Sequence, residues 1–228
     1  MKKVILISLV AILCASCSTS KFLTSDVKPV EITRMLEIEP FSYISLIEKG
    51  NQGVLNDSIS SIALEGLNKS LEIFSGKLHL SSEKIILTDS IERGKLEEEL
   101  RIMIMSAERN RSLKNIQITP LIDSLLNVNN ERFGLLVVQS GFTRTKGNYR
   151  GQMAKGVGVG LLTGLLTGMA YTQTPIKANS VLYVMIVDRQ NNNVAFYNKS
   201  ILQKEPTEIE NIKQQINKVF EKYFWNKQ

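Results

Sequence analysis

The chain has 228 residues, 43% of them apolar and 22% charged, which is enough for one well-buried domain or at most two small ones. A single histidine and two cysteines exclude a multi-histidine metal site and a disulfide framework. The formal net charge is +6, or about +4 once Lys2 and Lys3 are subtracted, and it is spread without the clustered stripe that nucleic-acid binding needs. Such a mildly basic surface serves solubility first. It also suits proximity to anionic membrane lipid or cell-wall polymer.

Met1-Lys2-Lys3 is a short basic start, Val4 to Ala15 an uncharged and mostly apolar run, and Ala15-Ser16 a small pair before Cys17. Positive n-region, short h-region and small-residue cleavage site make a secretory signal over residues 1–16. At ~1.5 Å per residue a helix over 4–15 falls well short of a ~30 Å hydrocarbon core, so retention as a spanning anchor is not expected. Ordinary signal cleavage near Ala15 to Cys17 would release a soluble protein. Cysteine at the cut, however, resembles the lipobox of bacterial lipoproteins, with Cys14 where an aliphatic residue usually stands. The resemblance implies cleavage before Cys17, diacylation of its thiol with palmitate-type chains and acylation of the new amine. Two or three chains hold a protein on a membrane stably where one does so only marginally. Cys17 is then the sole cysteine left, which excludes a disulfide, a zinc cluster or a thiol nucleophile.

Residues 17–40 are expected to form a lipidated tether. Its Ser, Thr and Lys residues come first, and Lys28-Pro29 and Glu39-Pro40 then mark extended segments. Ser18-Thr19-Ser20-Lys21 carries no aspartate after the cysteine and no acidic cluster. By resemblance to lipoprotein sorting signals, that implies outer-membrane attachment facing the periplasm.

A domain is expected over 41–225. Phe41 to Ile47 has strand composition. Asp57 or Ser58 can cap a helix whose Ile59, Ile62, Ala63, Leu67, Leu71 and Phe74 share a face, with Gly76 as its stop. Leu78–Leu80 and Lys84–Thr88 read as two short strands. Ser90 opens a second helix to about Arg111, buried through Leu96, Leu100, Met103, Ile104 and Ala107; Glu97, Glu98, Arg101, Glu108 and Arg109 read as its solvated face. Thr119-Pro120 caps a short helix through Val128. Phe133–Ser140 and Val181–Val187 are the clearest core strands, and the turn Asp188–Asn193 leads into Val194–Tyr197. A last helix from Pro206-Thr207 to about Phe224 carries the stripe Ile209, Ile212, Ile216, Val219, Phe220 and Tyr223, which must dock on something, most simply the sheet.

The order β-α-β-α-α-β, an insertion, then β-β-α predicts an α/β class fold: a single-domain sandwich in which helices pack on a small mixed sheet. This order, with a strand ending in Val187-Asp188 before a hairpin, resembles the periplasmic α/β domain shared by the curli-secretion-channel lipoproteins, the amino-terminal domain of TolB and lipoprotein activators of cell-wall synthases. The resemblance spans about 41–225 and implies a binding role in the envelope.

The insertion, residues 151–176, is glycine-rich. Gly156, Gly160, Gly164 and Gly168 recur every four residues inside an uncharged run, so a helix would place all four on one face and let a second backbone approach. Glycine costs about 0.8–1.0 kcal/mol per helical residue relative to alanine, so close packing or a nonpolar medium must compensate. Packing on the domain itself, a homo-oligomer interface and membrane insertion all satisfy that requirement. A helix over Val157–Tyr171 spans only ~22 Å, and a tilted one reaching Thr174 somewhat more before Pro175 ends it.

Catalytic patterns are missing. Gly156-Val157-Gly158-Val159-Gly160-Leu161 lacks the last glycine of a dinucleotide fingerprint, Gly76-Lys77 is no phosphate loop, and no G-x-S-x-G elbow serves His79, which reads as a strand residue at a surface or sheet edge. Nothing in the pattern pairs Asp89, Asp123 and Asp188. The expectation is a lipid-anchored, non-enzymatic binding or assembly module of the envelope, without cofactor, metal or nucleic acid. Its expected partners are membrane lipid through acylated Cys17 and envelope proteins. The alternative is a self-assembling membrane-active or export-related component built on the glycine zipper.

Overall fold

The structure, a computed structural model, describes residues 22–153 and 175–225. Its strands are β1 (Leu23–Thr24), β2 (Met35–Ile38), β3 (Phe41–Ile47), β4 (Val54–Leu55), β5 (Leu80–Ile85), β6 (Phe133–Arg144), β7 (Ala178–Asp188) and β8 (Asn193–Leu202). The helices are α1 (Asp57–Phe74), α2 (Ser90–Asn110), α3 (Pro120–Val128), α4 (residues 146–153) and α5 (Ile209–Phe220). The strands form one mixed eight-stranded sheet in the order β1-β8-β7-β6-β2-β5, with β3 also on β6 and carrying β4. This is the α/β architecture expected.

At its centre β6 and β7 run antiparallel in unbroken register from Phe133↔Asp188 to Thr143↔Ala178. Both strands are longer than their apolar runs, because pairing carries them on through polar residues. β8 continues the antiparallel order, whereas β2 is parallel to β5 and β6, and β3 is parallel to β6 and antiparallel to β4. Alternate residues of β6 and β7 feed two cores. On one face Leu135, Val137 and Leu182 pack with Leu67 and Leu71 of α1 and Ile212 and Ile216 of α5. On the other, Leu136 and Met185 pack with Leu96, Leu100 and Met103 of α2 and Ile122 of α3.

The tether expectation is corrected for residues 22–40. β1 pairs with β8, and every residue of β2 is buried between β5 and β6. Val27, Ile32, Met35, Leu36 and Ile38 supply the driving force that the flanking prolines obscured. β2 and β3 are in effect one strand with an extra residue. Leu36 and Glu37 face Gly134 and Leu135, but Phe41 faces Val138, so four chain steps on one side match three on the other. The irregularity falls at Glu39-Pro40, where proline has no N–H to give the ladder. Even-numbered Leu36 and Ile38 and then odd-numbered Phe41 and Tyr43 therefore serve the same core face.

Smaller differences are local. α1 is capped by Asn56, whose Oδ1 accepts from the Ile59 N–H at 3.0 Å. The two short strands expected after it are the single strand β5. α5 starts at Ile209, docks on the sheet as its stripe requires, and runs into a wider helical turn over Glu221–Trp225. A buried polar group fastens it: the Gln215 amide donates to Ser180 O and Ser200 O at 3.0 Å each, and Ser180 Oγ donates back to Gln215 Oε1 at 2.9 Å.

Gly141 of β6 lies so close to β7 that a Cβ there would stand 2.1 Å from the Asn179 carbonyl oxygen. Gly94 of α2 has nothing within 4 Å. Gly141→Ala should lower stability by about 1–3 kcal/mol, and Gly94→Ala should raise it by up to ~1 kcal/mol. Urea denaturation midpoints check both signs.

Candidate functional site

α2 covers only part of its sheet face. Its buried stripe ends the coverage at Phe41, Leu136, Met185 and Tyr197, and α3 covers the sheet beside Ile38 and Val187. Beyond them Val138, Ser140 and Phe142 of β6 and Val181 and Tyr183 of β7 are only half-buried, with no helix over them among the described residues. The step between helix and bare sheet is a groove of about 500 Å³. Phe41, Tyr43, Leu100, Ile104, Val138 and Tyr183 line it, and Glu97, Glu98, Arg101 and Met105 form its rim. Past Ile104, Met105 and Tyr183 it opens into a wider recess along the last turns of α2, bounded by Ser106, Glu108 and Asn110.

Two tyrosines in or beside the groove meet carboxylates. Burial, then the neighbouring Glu97, pushes the Tyr43 hydroxyl well above the ordinary tyrosine value. The Tyr197 hydroxyl donates to Glu108 Oε1 at 2.5 Å, and burial followed by that bond pushes it up strongly. Lys199 of β8 closes the cluster by pairing with the other Glu108 oxygen. Burial acts to raise the Glu108 carboxyl, but the Lys199 and Tyr197 hydrogen bonds more than offset it and hold it below the usual value. Both hydroxyls stay protonated at neutral pH and serve as donors.

The fully solvated face expected for α2 is therefore corrected. Glu98 and Arg101 do pair in solvent, at 2.5 Å. Glu97 and Glu108 flank the buried stripe on the sheet side, and each is recruited by a tyrosine. A 3.6-residue period assigns such flanking positions to neither face, and only the strand residues opposite decide them.

The other residues singled out do separate jobs. Asp89 caps α2 by accepting from the Ile91 N–H at 2.7 Å and the Glu92 N–H at 3.3 Å. Asp123 sits in the first turn of α3. Asp188, fully buried, takes a two-pronged bond from Arg132 at 3.0 and 2.7 Å and another from the Gln190 N–H at 3.0 Å. His79 lies in the turn that feeds the edge strand β5, with a φ of 53°, and its carbonyl accepts from the Met35 N–H at 2.9 Å. Among the described residues no group of three or more His, Cys, Asp or Glu is placed to hold a metal ion. Nor is any described helix long and apolar enough to cross a membrane. Cys17, Gly156, Gly160, Gly164 and Gly168 lie outside the described residues.

Fold and groove together define a one-domain α/β protein with helices on both sheet faces and one apolar, open-ended recess. No protein-family model and no curated protein matches the chain. Among solved structures it is similar to a PelC dodecamer from Paraburkholderia phytofirmans, with 9% identity, a TM-score of 0.32 and coverage of 90% of this chain and 94% of that one. It is also similar to the LpoB C-terminal domain from Salmonella enterica, with 11% identity, a TM-score of 0.29 and coverage of 86% and 93%. Likeness at these scores carries no argument about function.

The Glu108 cluster has a signed pH consequence. A carboxyl held below its unfolded value contributes stability that is present above that value and lost as pH falls through the folded one. Thermal melts of the wild type and Glu108→Gln should therefore differ most near neutrality and converge in acid.

Proposed function

We propose that this chain is a lipid-anchored periplasmic protein of the outer membrane whose α/β domain binds other envelope proteins and catalyses no reaction. The observation that carries the binding role is the groove. Apolar side chains form its walls and floor, tyrosine donors and carboxylates edge it, and it is open along its length. That chemistry suits an apolar or amphipathic segment of another protein, held by a few polar contacts at the rim. The anchor rests on Cys17 and the signal before it.

Two experiments test the two halves. Cys17→Ala should abolish palmitate labelling and move the protein from the membrane fraction to the soluble periplasm; a wild-type product that takes up no palmitate overturns the anchor. A photo-cross-linking residue in place of Ile102, 52% exposed beside the recess, should give one discrete adduct with an envelope protein in intact cells. Met105→Glu puts a charge at the rim at a position already 56% exposed. It should weaken that adduct about tenfold or more, a loss of ~1.4 kcal/mol or greater. An undiminished adduct would remove the groove from the binding role.

The spacing of Gly156, Gly160, Gly164 and Gly168 supports a second reading, self-assembly or membrane activity through the insertion. Gly160→Leu with Gly164→Leu should then abolish a cross-linkable oligomer. A wild type that sediments as a monomer in detergent excludes this reading.

A further inference from the structure

The two ends of the sheet differ in how their cations are used. At the end where β6 and β8 begin, Arg34 pairs with Glu131 at 2.6 Å and Arg132 with Asp188 at 2.7 Å, Lys77 lies over the Trp225 ring, and Lys28 is exposed without an ion pair among the described residues. The other end, where β3, β6 and β8 finish and β7 starts, gathers Lys49, Arg144, Lys146, Arg150, Lys177 and Lys204. All but Arg144 are exposed, and of the six only Lys177 has an ion-pair partner among the described residues, Glu205 at 2.9 Å. Glu48, Asp57, Glu205, Glu208 and Glu210 are the acids there, the last paired with Lys213 at 2.8 Å, and the cations still outnumber them. Arg144 is used as a clip. Its guanidinium donates to Gly50 O and Ile176 O at 2.9 Å each, to Asn148 Oδ1 at 2.8 Å and to Asn51 Oδ1 at 2.9 Å. It thereby gathers the loop after β3, the start of α4 and the approach to β7 into one surface, with Ile176 41% exposed at its centre.

Chain direction at Phe22 and Leu23 points to the same end. β1 is antiparallel to β8, Leu23 facing Tyr197, so the chain read backwards from Leu23 heads towards Leu202. Five residue steps separate Phe22 from Cys17 and reach at most about 17 Å. The four steps of β8 from Asn198 to Leu202 cover about 14 Å.

From this we infer that the basic end of the sheet is a membrane-contact surface that binds anionic phospholipid headgroups and sets the domain's orientation on the bilayer. Charge complementarity and the short reach to Cys17 select the occupant, an anionic lipid surface. The orientation rests on the anchor reading above, whereas the lipid preference rests on the described cations alone.

The test places the acylated full-length product on phosphatidylglycerol vesicles and, in parallel, on phosphatidylcholine vesicles. Amine-reactive labelling is then read lysine by lysine. Lys49, Lys146, Lys177 and Lys204 should react several-fold more slowly on phosphatidylglycerol, with Lys28 and Lys77 at the other end unchanged, and high salt should erase the difference. Equal reactivity on the two lipids overturns the proposal, as does protection of Lys28 and Lys77 instead. Lys146→Glu combined with Arg150→Glu changes only exposed positions and should abolish the protection of Lys49 and Lys204; protection that persists also overturns it. A product without acyl chains marks failure of the anchor alone. That form should still pellet with phosphatidylglycerol and not with phosphatidylcholine, and failure to do so counts against the basic surface itself.

Discussion

The pairing of β6 with β7 is the constraint on which the molecule depends. Antiparallel neighbours are usually joined by a turn of a few residues, and the turn fixes their register. Here residues 145–177 separate them. Closing so long a loop costs roughly 2.5 kcal/mol more than closing a two-residue one. One or two fully buried aliphatic side chains, at about 1.5–3 kcal/mol each, offset that cost. The register itself must be set along the strands. At one end Arg132, just before β6, grips Asp188, the last residue of β7. Further along, Gln139 of β6 donates to Ser180 of β7 at 3.2 Å and to Pro206 O at 2.8 Å. Near the open end the bare Gly141 admits the Asn179 backbone. Three contacts spaced along the ladder replace the missing turn.

Those contacts also join layers. Ser180, bonded by Gln139, is itself bonded to Gln215, so the device that sets the central register holds α5 on the sheet. Buried amides and hydroxyls cost stability when unpaired, and here each satisfies the next. With α1 and α5 fixed on one face, the other is shared by α2 and α3, and among the described residues no helix covers the open end of β6 and β7. The groove is that shortfall. Its floor is made by the same two strands, so an occupant that binds only the folded domain would strengthen their pairing through mass action.

Much of this was legible in the residues, and the exceptions have physical reasons. Leu135 to Val138, Val181 to Val187 and the stripe of α5 are strong signals because burial on one or both faces leaves little choice of side chain. Thr119-Pro120 announced a helix start through cap chemistry that is local by nature. β2 did not declare itself. It is short, lies between Pro29 and Pro40, and carries Glu37, which is 8% exposed and tolerable there because Lys84 of the neighbouring strand pairs with it. That compensation is a tertiary fact. The groove was invisible for a similar reason, since it is space left by helices rather than a pattern of residues. Glu108 belongs with it: nothing on α2 itself distinguishes it from Glu98. The anchor at Cys17 and the glycine spacing remain readings of sequence.

The additional residue at Glu39-Pro40 gives the segment from Met35 to Ile47 two phases. Before it, odd-numbered positions face α1 and α5; after it, they face α2 and the groove. This stretch of chain should therefore tolerate changes of side chain far better than added length. Removing one residue between Ile38 and Phe41 would only make the strand regular and keep Phe41 opposite Val138, whereas adding a further one would shift the pairing by one and turn each of the seven residues of β3 over. Phe41 and Tyr43 would leave the groove wall and Ser42 and Ile44 would replace them. A single-codon insertion here would act as a frame error written in three dimensions, erasing the recess while leaving every amino acid in place.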